Sequence, residues 1–117
     1  YKRQDVPASA KASLQNKYPA AKELKWEKEN GNYEAEFQTN ETDYSILFDA
    51  SGNILETEVE INVDALPANT KSYIQKNYAG KKIKEAAKIT DAKGTVTYEA
   101  EIKGKDLIFD INGNFLK

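Results

Sequence analysis

The sequence predicts an α+β protein: two tandem helix-plus-four-strand repeats forming an antiparallel sheet of about eight strands, with the helices on one face. Three observations carry this expectation. The stretch "YEAEF" at Tyr33–Phe37 returns as "YEAEI" at Tyr98–Ile102, and "LFDASGNIL" at Leu47–Leu55 returns as "IFDINGNFL" at Ile108–Leu116. Ahead of these phrases, sixty residues apart, stand two helix-patterned stretches, Val6–Pro19 and Leu66–Gly80. After each of them the hydrophobic period drops to two, the signature of strands.

Pro7 opens the first helix, where its missing N–H has no helical partner to lose. Val6, Ala10, Leu14 and Tyr18 then step by four along one face, and Pro19 disfavours helix at the residue before it. Leu24 and Trp26 alternate with Lys25, Glu27 and Glu29, and "NGN" at Asn30–Asn32 is a hairpin signal. Tyr33, Ala35 and Phe37 alternate with Glu34, Glu36 and Gln38. A turn around Asn40–Thr42 leads into Tyr44, Ile46 and Phe48. Beyond the turn at Asp49–Asn53, Leu55, Thr57, Val59 and Ile61 oppose Ile54, Glu56, Glu58 and Glu60.

The second half repeats the order. Leu66, Thr70, Ile74 and Tyr78 form the helix face, and Gly80 is its stop. Ile83, Ala87 and Ile89 mark a strand, Asp91–Gly94 a turn, and Val96, Tyr98, Ala100 and Ile102 the next strand. Leu107, Phe109 and Ile111 follow, then a second "NGN" and a short last strand at Phe115–Leu116. Strands joined by such short turns run antiparallel. One apolar side per strand means a sheet covered on one face only. A unit of under ~60 residues is marginal alone. The expectation is therefore a single domain, 1–117, made of repeat 1 (6–63) and repeat 2 (64–117) sharing a continuous sheet or core.

Composition narrows function mainly by exclusion. The 117 residues contain no cysteine and no histidine, which removes thiolate chemistry, disulfides, the commonest general base and the commonest transition-metal ligand. The reading is not an enzyme, with no cofactor other than Ca²⁺ to consider. Net charge is −2 with lysines and acids interleaved, so the basic face of a nucleic-acid binder is missing. No apolar run has the length of a membrane span, so no membrane insertion is expected. With no methionine, the chain reads as a processed form, its signal peptide expected upstream of Tyr1 and removed.

The order of "P-A-x-x-K" on a helix, a "Y-P" or "Y-A-G" stop, "Y-E-A-E" and then "F-D-x-x-G-N" resembles the PepSY-like family, also described as β-lactamase-inhibitor-like. The likeness runs as two copies from Val6 to Lys117. It implies a secreted, periplasmic protein of Gram-negative gut bacteria with a fold like β-lactamase inhibitory protein and no known catalytic residues. It also implies a proposed inhibitory role, and relatives carry a calcium-regulated label. No motif here maps residue by residue onto an inhibitory loop.

Three sets of residues are candidate sites. Asp49, Ser51, Gly52 and Asn53, with Asp110, Asn112, Gly113 and Asn114, read first as tight turns in which Asp accepts backbone N–H groups. A Ca²⁺ site on Asp49, Asn53, Asp110 and Asn114 is the alternative. It lacks the further side-chain ligand and well-placed bidentate Glu of an EF-hand loop, so the turn reading is preferred. Glu34, Glu36, Glu99 and Glu101, with the row Glu56, Glu58 and Glu60, read as the solvated side of a one-sided sheet. They are also the recognition face for an unknown protein or peptide, or a carboxylate cage for a divalent cation. Most aromatics read as core, with Trp26 as a binding hot spot because the second copy has no tryptophan there. The functional expectation is a non-catalytic periplasmic binding module, protease- or hydrolase-inhibitor-like, with a calcium-responsive protein as the alternative.

Overall fold

A computed structural model of the chain describes residues 6–117, which divide after Val59 into two compact units. The first holds helix α1 (Ala8–Lys17) and strands β1 (Lys22–Glu29), β2 (Asn32–Thr39), β3 (Thr42–Phe48) and most of β4 (Ile54–Ile61). The second holds a 3₁₀ turn (Val63–Ala65), helix α2 (Ala68–Asn77) and strands β5 (Glu85–Asp91), β6 (Val96–Ile102) and β7 (Lys105–Asp110). Within each unit every strand pairs antiparallel with its neighbour in chain order.

Both helices begin the same way. Pro7 and Pro67 sit at the N-cap, one place earlier than expected, with φ of −57° and −55°. Their carbonyls accept the first helical N–H groups, from Ala10 and Lys11 and from Thr70 and Lys71. Each helix closes where the Tyr18 or Tyr78 N–H reaches back to Leu14 or Ile74. The faces read from the four-residue step are the buried ones: Val6, Ala10 and Leu14 in the first unit, Leu66, Thr70 and Ile74 in the second.

In the first unit the helix covers Trp26, Ala35, Phe37, Ile46 and Phe48. Two-residue turns set the register. Asn30–Gly31 and Asn40–Glu41 both adopt positive φ, the twist that matches antiparallel strands, so Glu29 faces Asn32 and Thr39 faces Thr42. In the second unit Ala86, Ala100, Ile102, Leu107 and Phe109 form the sheet side of the core with Leu66 and Ile74.

The architecture departs from expectation in three places. There are seven strands among the described residues, not about eight. The segment expected as a last strand makes one bridge, Phe115 to Phe109, with the Leu116 N–H donating to the Ile108 carbonyl at 2.8 Å. Second, a register shift between Leu47 and Phe48 leaves Leu55 as an extra residue, so Ile54 faces Phe48 and packs on the core. Third, Ala86 joins the helix-side core opposite Ala100, while Ala87 and Ile89, also buried, lie on the other face of β5. Strand side chains alternate faces, so a one-residue slip exchanges the two sides.

Candidate functional site

The register of the first unit assembles its polar face in rows. Glu27 on β1 faces Glu34 on β2, which faces Leu47 on β3, which faces Glu56 on β4. The next row runs Lys25, Glu36, Ser45, Glu58. The core side chains Trp26, Ala35, Phe37 and Ile46 point the opposite way, so these rows are what the unit shows on its uncovered side.

The carboxylate oxygens of Glu27, Glu34 and Glu36 lie within 4.8 Å of one another. Like charges at that spacing repel by about 1 kcal/mol per pair even in bulk water. The Ser45 hydroxyl donates to Glu34 at 2.9 Å, and Lys25 stands opposite Glu36. Glu27 escaped the sequence reading as a site residue. The signal was present, since a two-residue turn at Asn30–Gly31 forces residues equidistant from it, Glu27 and Glu34, to face each other.

On the second unit Glu85 faces Glu101, which faces Asp106, another row of three acids. Beside it, Glu99 stands between Ala87 and Ile108. The structure thus brings Glu34 and Glu36 together on one unit and Glu99 and Glu101 together on the other.

The Asp turns are built alike, each carboxylate holding the chain that follows it. Asp49 Oδ1 accepts the N–H groups of Ser51 and Asn53, each at 2.9 Å, while Oδ2 accepts the Asn53 side-chain amide at 3.1 Å. Asp110 makes the same three bonds with Asn112 and Asn114. The backbone N–H of Asn53 first, then its side chain, holds the Asp49 carboxyl below its ordinary range; the N–H of Asn114 leads in the same way for Asp110. A third copy at Asp91 accepts from Lys93 and Thr95, both at 2.9 Å, with no asparagine. Both carboxylate oxygens of Asp49 and Asp110 therefore have a structural use that needs no ion.

Two of these turns are pressed onto helix starts. Ser9 Oγ donates to the Ala50 carbonyl, Asn69 Nδ2 to Asn112 and Thr70 Oγ1 to Gly113. A Cβ on Gly52 would lie 2.7 Å from the Ser9 carbonyl oxygen, and one on Gly113 would lie 2.7 Å from Pro67 Cβ. Sequence reading found the turns and missed their load.

Trp26 is not on the polar face. It is 6% exposed, faces Ala35 across the sheet, and its ring packs tilted against Phe48 with centroids 5.6 Å apart. As a hot spot for an external partner it is corrected to a core residue, because with Leu24 it packs in the first unit's core, opposite the fully buried Ala35.

A family model described as "Putative beta-lactamase-inhibitor-like, PepSY-like" matches residues 2–56 and, overlapping, 32–117. The chain belongs to the PepSY-like family. Solved structures share its fold at low identity. One from Bacteroides eggerthii, described as a "putative periplasmic" protein, aligns with TM-score 0.85 and 17% identity over 96% of this chain and 86% of that one. A DUF2874 family protein from Bacteroides uniformis gives 0.83 and 20% over 95% and 86%. A protein from Bacteroides fragilis described as BLIP-like gives 0.74 and 24% over 95% and 84%. No curated protein matches. Among the described residues of this PepSY-like chain, no helix is long and apolar enough to cross a membrane.

Proposed function

We propose that this PepSY-like chain is a non-catalytic periplasmic binding module of the inhibitor-like kind, one domain made of two repeats. Its polar sheet faces take a protein or peptide bearing Lys or Arg. The observation that carries the reading is the Glu27, Glu34 and Glu36 trio on an uncovered sheet face. Held together by strand register, the three carboxylates gain from a cation brought by a partner, and rim charges of this kind set association rate and specificity. The glutamates of the second unit, Glu99 and Glu101, extend the same chemistry to its own face. The compartment is supported by fold neighbours described as periplasmic, and a binding role by the family's inhibitor-like description. The lack of histidine and cysteine, and carboxylates on open sheet rather than in an enclosed cleft, favour binding over catalysis.

Affinity capture from periplasmic extract tests this, using wild type beside Glu34→Lys/Glu36→Lys. A partner kept by wild type and reduced at least tenfold by the variant is expected. Equal recovery on both removes this face from the reading.

A second reading is favoured by the same trio: Ca²⁺ held by Glu27, Glu34 and Glu36 in place of a partner's ammonium group. Calorimetry with millimolar Ca²⁺ decides it. A ligand of the native state must raise the melting temperature, so no heat and no shift end the calcium reading.

A further inference from the structure

We propose that the second unit carries a separate binding site for a small amphipathic anion, a carboxylate with a short hydrocarbon tail. The place is an open cleft of about 600 Å³ formed by the 3₁₀ turn, α2 and the segment joining α2 to β5. That volume falls in the range of small-molecule sites. Its lining divides by chemistry. The half-buried Val63 and Ile83, over the buried Ile74, supply an apolar floor continuous with the core. Lys71, Lys81, Lys82 and Lys84 supply the walls.

The charge of this cleft runs against the rest of the molecule. Four lysines against one acid, Asp64, among the lining residues give them three net positive charges in a chain whose total is −2. Lysines gathered around a concavity with low-dielectric walls focus their field into it. Lys71 is held at the site, its Nζ donating to the Asp64 carbonyl at 3.4 Å. A bare inorganic anion leaves the isoleucine floor unused, and a neutral lipid leaves the lysines unused. A ligand with a carboxylate head and an apolar tail uses both.

The first unit keeps two of the four lysines, Lys11 and Lys22, and changes the rest. Sixty residues earlier, Lys81, Ile83 and Lys84 become Ala21, Glu23 and Leu24. Glu23 has φ of +54° at the register shift of β1, and Leu24 beside it packs on the first core as Ile83 does on the second.

The test is amide NMR on the full chain titrated with octanoate, with acetate and octan-1-ol as separate probes. Octanoate is expected to give saturable shifts at Lys71 and Lys81–Lys84, at least tenfold tighter than either other probe. The binding should weaken with salt, as exposed charges are screened. Lys81→Glu/Lys82→Glu, both exposed, should lower octanoate affinity at least tenfold. Should that variant fold poorly, Lys81→Gln/Lys82→Gln should lower it at least threefold. Acetate as tight as octanoate, octan-1-ol as tight as octanoate, unchanged affinity in the variant, or no saturable shift at millimolar octanoate would each overturn the proposal. Glu34→Lys/Glu36→Lys should bind octanoate like wild type, which separates this site from the polar sheet face.

Discussion

Ala10 and Thr70 occupy matching places on α1 and α2 and are both fully buried, yet only the second carries a hydroxyl. In the first unit the turn contact falls to Ser9, one residue earlier, which donates to Ala50. In the second, Asn69 and Thr70 share the task on Asn112 and Gly113. The side chains differ and the contact persists, so what both units need is a helix start tied to the Asp turn. Their cores differ more. The first stacks Phe37 on Tyr44, sets Tyr18 tilted against both at 5.1–5.3 Å, and packs Trp26 on Phe48. The second fills the same side of its sheet with Ala86, Ala100 and Leu107 around Phe109.

The largest expected effects test whether the two cores matter equally. Phe48 and Phe109 are each fully buried, and truncating either to Ala should cost about 3–5 kcal/mol, read by denaturant unfolding. A cost under about 1 kcal/mol for one of them breaks the parity.

Next come the glycines, which isolate the helix contact from the turn itself. Gly52, Gly94 and Gly113 share φ of +86° to +89°, but a Cβ on Gly94 meets nothing within 4 Å. Gly94→Ala should therefore cost only the left-handed backbone penalty, about 1–2 kcal/mol. Gly52→Ala and Gly113→Ala add the displacement of a helix start and should exceed it by about 1–3 kcal/mol. Equal costs for all three would mean the turns bear no such load.

Thr70→Ala makes the second unit resemble the first. It removes the one donor to the Gly113 carbonyl seen among the described side chains, and should cost about 1 kcal/mol.

The smallest effect is electrostatic. Because the turn N–H groups lower the Asp49 and Asp110 pKa values on folding, their contribution is present above the unfolded carboxylate pKa. It is lost as pH falls through the folded one. Melting temperature measured from neutral to acid pH should fall less steeply below about pH 4 in Asp49→Asn/Asp110→Asn than in wild type.

The helix faces were legible because a four-residue step tolerates small errors of phase: Leu14 and Ile74 are buried whichever residue starts the helix. Strand faces were less so. The bulge at Leu55 and the phase of Ala86 and Ala87 turn on single residues that carry no local mark, since all three are apolar on both sides of the choice. Glu34 and Glu36 were read as one face correctly, while Glu27 entered only through pairing, a relation between strands. Trp26 is buried although the second half has no counterpart for it, because a residue's lack of a repeat partner carries no information about which face it lies on. The lysine cleft was invisible to a linear reading: Lys71 and Lys81–Lys84 lie on separate segments, and lysines in each look like ordinary solvated surface.

The difference between the three Asp turns also says where the molecule can be modified. The loop from Asp91 to Thr95 has the same hydrogen bonds as its two counterparts but supports no neighbour at its glycine. A fluorophore, affinity tag or short inserted epitope between Ala92 and Lys93 should leave the fold undisturbed, as exposed loop tips do. The same cargo at Ser51 or Asn112 would pry a helix from its mooring.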